Sequence, residues 1–215
     1  MSADFGPDPR RVSPDYERHG GFPVFEPAEP GPGFARFLAG MRRLQDLAVS
    51  AAPAAETWDD AADRVEKLIE QLAPFESAEG VGPASRVPAL PGAGSLLMPP
   101  WFVDAFEPDG VRVRVTFSRF HVGGNYAVHG GVLPLLFDSL FGMVIHAAGR
   151  PISRTAYLHV DYRKVTPIDT ELRARGWIRE AEDRKAFVNA ELHDGDDNLL
   201  AEAHGLMIRL LPGQP

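Results

Sequence analysis

A chain of 215 residues is long enough for one domain with a substantial core plus an appendage. Hydrophobic residues make up 44% and charged residues 24%, an ordinary globular balance, while a net charge of −8 argues against a nucleic-acid or anionic-membrane surface. There is no cysteine, which excludes disulfides, cysteine nucleophiles and thiolate metal sites and fits a reducing compartment.

The N-terminal segment, residues 1–33, holds seven prolines and five glycines and has no apolar run of the kind a signal peptide needs. It cannot bury enough surface to offset its ordering entropy, so an extended or mobile arm is expected. Residues 34–79 read as a helical hairpin. Phe34, Phe37, Leu38, Met41, Leu44 and Leu47 recur at helical spacing up to Pro53. A second helix is expected from Thr57, with Thr57 and Asp60 as a capping-box variant, carrying Trp58, Val65, Leu68, Ile69 and Leu72 on one face. That face is too small to stand alone and should dock on something. Residues 80–100 contain four glycines and five prolines, a linker signal.

The main domain is expected over 101–211. Val111, Val113, Val115 and Phe117 alternate with Arg112, Arg114, Thr116 and Ser118, a half-buried strand. A helix over 131–148 follows, then strands over 153–163, 170–180, 184–193 and 198–210, the last three separated by short polar turns as in an antiparallel meander. The helix is apolar nearly all round (Val132, Leu135, Leu136, Phe137, Leu140, Phe141, Met143, Val144, Ile145), so it should be buried on most faces. The fold class is α+β, with one antiparallel sheet wrapped around a central helix. Asp138 and His146 interrupt the apolar stretch, which makes it a poor membrane span. We expect a cytoplasmic protein without membrane insertion.

The chemistry concentrates in HGGVLPLLFD, residues 129–138. The glycines at 130 and 131 stand where strand gives way to helix, and the first N–H groups of a helix lack internal partners at its positive end. Such an end suits a carbonyl oxygen that becomes an oxyanion. Asp138 supplies a carboxylate that can attack a carbonyl or activate a water. Eight residues of helix separate Gly130 from Asp138 by about 12 Å, too far to share one carbonyl carbon. Two copies paired about a two-fold axis, the glycine turn of one facing the aspartate of the other, remove the difficulty.

The pattern HGGxxxxxxD, followed by TAYLHVDYRKVTP, resembles the hotdog-fold acyl-CoA thioesterases of the PaaI-like group, over roughly residues 100–211. The resemblance implies a hotdog fold in a homodimer or dimer of dimers, hydrolysing an acyl-CoA thioester at the subunit interface, with no cofactor beyond the CoA of the substrate; the apolar hairpin and a lining by Phe137, Phe141 and Met143 favour a fatty or aromatic acyl group. It assigns the acidic catalytic residue, as nucleophile or general base, to Asp138, the oxyanion donor to the N–H of Gly130 with Gly131 beside it, and turn-shaping or polarisation to His129. Substrate contacts fall on Asn125 in the approach loop, Thr155, Phe137, Phe141, and, near the CoA phosphates, Arg163 and Lys164. The plainer alternatives are an ordinary strand threonine at 155 and solvated edge charges at 163 and 164.

His146, His159 and His204 lack metal-ligand spacing, so no metal is expected; Ser95 and Ser139 lack the context of a nucleophile elbow. Two other functions stay open: a non-catalytic acyl-CoA-binding regulator and an enoyl-CoA hydratase on the same fold. Residues 1–99 carry nine Lys/Arg against fifteen Asp/Glu, which disfavours a nucleic-acid-binding version of the first.

Overall fold

The computed structural model describes residues 26–78 and 80–211, together with two short antiparallel strands, β1 (Arg18–His19) and β2 (Phe22–Pro23). Most of the expected arm over 1–33 lies outside the described residues. Its end is tied down: the Arg86 guanidinium donates to the Glu26 carbonyl at 2.6 Å, and the Ala28 N–H donates to the Arg86 carbonyl at 2.7 Å.

Helix α1 runs Pro32–Ser50, with Pro32 in the first turn, where its missing N–H costs nothing. The docked side of α1 differs from the expected apolar stripe. Leu38 is its one buried residue, while Phe37, Leu44 and Leu47 remain exposed. Polar groups do the fastening. Arg42 donates to the carbonyls of Pro91, Ser95 and Met98, and the Asp46 carboxylate accepts the Phe120 N–H at 3.0 Å.

Helix α2 runs Ala55–Leu72. The expected cap at Thr57 is not there: the N-cap is Ala54, three residues earlier, with no side-chain cap. The Thr57 N–H already bonds to the Ala54 carbonyl, so Thr57 lies inside the first turn, which Ala55 and Glu56 favour by propensity and by charge at the positive helix end. None of its residues is buried, and Trp58, Val65, Ile69 and Leu72 are all at least 40% exposed. The segment over 80–100 is not a free linker. Arg86 gathers the carbonyls of Gly80 and Val81, and Arg42 gathers those of 91–98, so both ends of this coil are wrapped around a guanidinium.

The remaining residues form one six-stranded antiparallel sheet and one long helix. The strands are β3 (Trp101–Glu107), β4 (Gly110–Thr116), β7 (Ser153–Tyr162), β8 (Glu171–Glu182), β9 (Lys185–His193) and β10 (Leu199–Arg209), in the spatial order β3-β4-β8-β9-β10-β7. A two-stranded ribbon, β5 (Val122–Gly124) and β6 (Ala127–Val128), leads into α3 (Val132–Ala147). Sequence alternation finds five of the six main strands; β3 escapes it because Trp101, Phe102, Val103 and Phe106 put apolar groups on both faces.

Helix α3 lies across one face of the sheet. Leu133, Leu136, Phe137, Leu140, Phe141, Val144 and Ile145 pack against Val111, Val113, Val115, Leu172, Val188 and Leu192. Each such fully buried side chain contributes about 1.5–3 kcal/mol. Two strand glycines set how closely the helix seats. A Cβ on Gly176 would lie 3.0 Å from Leu140, and one on Gly205 would lie 2.6 Å from the Phe141 ring. The other face of α3, carrying Asp138, Gly142 and His146, is exposed.

Candidate active site

The turn that precedes α3 is built around two histidines. His121 accepts the Ser118 N–H on Nδ1 at 3.0 Å, and its carbonyl accepts the His129 N–H at 2.8 Å, which anchors the start of the HGG turn. Burial lowers the His121 pKa, the nearby positive charge of Arg42 lowers it further, and the net shift is downward, so the ring is held neutral. His129 shapes the turn: its Nδ1 accepts the Gly131 N–H at 3.0 Å and its carbonyl accepts the Val132 N–H at 2.9 Å.

The Gly131 N–H is therefore occupied. Among the described residues no acceptor meets the Gly130 N–H. The Gly130 carbonyl accepts a hydrogen bond from the Tyr162 hydroxyl at 2.8 Å, and the Tyr162 ring closes against the glycine, 3.7 Å from where a Cβ would stand. Tyr162 was not among the residues singled out in the sequence, although it stands in the VDY triplet. A tyrosine at a strand end has no local signal of this contact, which spans 32 residues.

Asp138 sits in the second turn of α3 on its exposed side. The Thr155 hydroxyl donates to its Oδ1 at 2.6 Å. This contact depends on an irregularity in β7. Leu206 of β10 is opposite Tyr157, but Met207 is opposite Thr155, so Ala156 is an extra residue. Strict alternation would leave Thr155 on the side of Tyr157 and His159. The bulge turns it inward, towards the buried Met207 and Asp138. The neighbouring Ser139 donates to the Leu135 carbonyl and lies 2.9 Å from the Met98 sulfur, so the segment before the domain reaches α3 beside Asp138.

The other expected site residues are placed differently. Phe137 and Phe141 are completely buried on the sheet side of α3, with no surface left to meet a substrate, which corrects their assignment as lining residues. Asn125 and Tyr126 form the tip of the β5–β6 ribbon, with φ of +49° and +57°, a turn whose twist suits a two-residue hairpin. Asn125 is exposed there, and among the described residues it makes no hydrogen bond to Asp138. Arg163 donates to Glu202 at 2.8 Å and approaches Asp161 at 3.5 Å; Lys164 donates to Asn198 at 2.8 Å. Both cations thus have partners at the sheet edge. Among the described residues no cluster of three or more His, Asp or Glu could hold a metal ion, and no helix is long and apolar enough to cross a membrane.

The candidate site joins a Gly130 N–H with no acceptor among the described residues, one position before the N-cap of α3, a hydroxyl-bonded carboxylate on that helix, and one antiparallel sheet behind both. The six-stranded sheet around a central helix is the hotdog fold, and residues 125–201 match the family model of the thioesterase superfamily. The chain is 33% identical over 89 residues to acyl-coenzyme A thioesterase THEM4 of Rattus norvegicus and 30% identical over 89 residues to that of Mus musculus. Each alignment covers 41% of this chain and 38% of the relative, so the match spans well under half the length of these curated relatives. A crystal structure of a thioesterase superfamily protein superposes with a TM-score of 0.73 at 23% identity, covering 86% of this chain and 98% of the other. That coverage exceeds the 101–211 domain, so the fold shared with it takes in residues that precede the domain.

Proposed function

We propose that this chain hydrolyses an acyl-CoA thioester at a site completed by a second copy of itself. The observation that carries the reading is the 2.6 Å hydrogen bond from Thr155 to Asp138, made by a bulge that turns the hydroxyl out of its regular register. A hydroxyl fixed on one carboxylate oxygen orients the carboxylate and leaves the other oxygen for a water. Asp138 takes a proton from that water as its oxygen adds to the thioester carbon. The oxyanion forms against a free Gly130 N–H, the carbon–sulfur bond breaks, and the thiolate leaves with the proton.

The two halves of the machinery belong to different copies on this reading. Strand β7 is an edge of the sheet, with its outer side unpaired. An antiparallel pairing of two β7 strands about an axis at His159 keeps inward residues opposite inward residues. Counting Ala156 as the bulge, it sets Tyr162 opposite Thr155 of the partner subunit. Tyr162 holds Gly130 and Thr155 holds Asp138, so this register brings the oxyanion donor of one copy to the carboxylate of the other. The exposed ring of Tyr162 packed on the glycine turn, with exposed Tyr126 and Val165 close to these residues in sequence, favours a fatty or aromatic acyl group over a small polar one. A panel of thioesters of graded chain length reads this preference directly.

The central test is a thiol-release assay. Asp138→Asn is expected to abolish hydrolysis. Thr155→Val is expected to lower kcat by about 10–100-fold, and Thr155→Ser to restore it. Full activity in Asp138→Asn sinks the mechanism.

A further inference from the structure

The outer face of the sheet, opposite α3, carries four arginines on two adjacent strands. Arg112 and Arg114 of β4 and Arg173 and Arg175 of β8 alternate with buried Val111, Val113, Leu172 and Ala174, so all four project outward. The register sets Arg112 directly opposite Arg175, and Arg114 directly opposite Arg173. Like charges directly opposite in a strand pair destabilise it. In a chain of net charge −8, two such pairs side by side call for a counter-charge.

The carboxylates nearby supply only part of it. Asp104 lies 3.2 Å from Arg114. Glu191 lies 2.7 Å from Arg175 and also accepts from His193 at 3.1 Å. Burial alone would raise the Glu191 pKa, but Arg175 and His193 outweigh it and hold the carboxyl below its ordinary value. Asp197 lies 3.6 Å from His193. Arg173 reaches only backbone carbonyls, those of Asp194 and Gly195 at 3.3 and 3.4 Å. Among the described residues neither Arg112 nor Arg173 has a carboxylate partner. These two guanidiniums stand on a diagonal of the β4–β8 ladder, about 7–8 Å apart at the backbone, and both line one pocket of about 410 Å³ together with Arg175 and His193, with Asp104 and Asp197 also lining it.

We propose that this pocket binds the phosphate or diphosphate group of a small organic ligand, with Arg112 and Arg173 as the paired donors. A guanidinium presents a planar fork of N–H groups that fits a phosphate with two parallel hydrogen bonds, and two forks on a diagonal can grip neighbouring oxygens. Trp177, over which Arg175 stacks at 5.2 Å, adds an aromatic face beside the pocket. The phosphate source is either a free nucleotide or the nucleotide end of a CoA ester. The site lies on the opposite side of the sheet from Asp138 and does not depend on the catalytic reading above.

Isothermal titration of the full chain with inorganic pyrophosphate tests the proposal. Saturable binding is expected, weakening at least tenfold in the double variant Arg112→Gln/Arg173→Gln, whose fold is checked by circular dichroism and by a melting temperature no lower than the parent's. Arg179→Gln, on the same strand but outside the pocket, should bind as the parent does. Parallel titrations with CoA and with ADP separate the sources: tighter binding of CoA than of ADP, lost in the double variant, assigns the phosphate to a CoA ester, and tighter binding of ADP assigns it to a free nucleotide. No saturable binding up to 10 mM pyrophosphate, or equal binding by parent and double variant, overturns the proposal.

Discussion

At the scale of single residues, the site is a set of hydrogen bonds between groups far apart in the chain. Tyr162 is the instructive case. Its hydroxyl fixes the peptide next to the Gly130 N–H, which meets no acceptor among the described residues. Tyr162→Phe keeps the ring packed on Gly130 and removes that single bond, which is worth about 1 kcal/mol. We expect kcat to fall by about fivefold with little change in KM and in melting temperature, measured by steady-state kinetics and thermal denaturation. His121 makes a prediction about pH. Its folded pKa lies below the ordinary 6.5, so the unfolded chain binds its proton more readily than the folded one does. Its contribution is therefore whole above pH 6.5 and is lost as pH falls below it. His121→Gln can still accept the Ser118 N–H, and should flatten the decline of stability between pH 6.5 and pH 5 in urea titrations.

At the scale of elements, the docking of α1 runs against the ordinary rule for an amphipathic helix. The helix meets the domain through Leu38, Arg42 and Asp46, and leaves Leu44 and Leu47 in solvent. Burial lowers the Arg42 pKa from its ordinary value, against the pull of Asp46, yet an arginine stays charged there. Its Nη2 serves three carbonyls of the 91–98 coil. Arg42→Met leaves those carbonyls without their donor, at a cost of about 2–3 kcal/mol. The expected result is early proteolytic cleavage within 80–100 while the sheet domain stays intact, followed by mass spectrometry of the fragments. The apolar periodicity of 34–50 announced a helix correctly, but it pointed to the wrong docking face, because backbone carbonyls that gather around a guanidinium leave no trace in hydropathy.

At the scale of the whole molecule, the open edge of β7 and the separation of Gly130 from Asp138 pose one problem with one geometric answer. In the proposed pairing, His159 faces His159 of the partner subunit on the outer side of the sheet. Its neighbour there, His204, stacks on it with ring centroids 4.7 Å apart. His159→Glu would put two carboxylates about 5 Å apart across the axis, beside Asp161 of each copy. Sedimentation velocity should then show a shift towards monomer, with thiol-release activity falling in parallel and recovering at high protein concentration. A monomeric variant with full activity would remove the shared site.

The sequence by itself determined what short-range pattern can determine. Alternation located five strands within a residue or two, the apolar run located α3, and the HGG turn with Asp138 marked the candidate site. It could not say that β7 skips past β8 and β9 to pair with β10, that a bulge at Ala156 turns Thr155 towards Asp138, or that Phe137 and Phe141 face the sheet rather than a ligand. These depend on which of several apolar faces meets which, and a single extra residue in one strand reverses a side chain's direction without changing the composition of the strand. Periodicity is a property of neighbours along the chain, whereas the site is made by contacts between residues 17 and 32 positions apart, which only the closed sheet brings together.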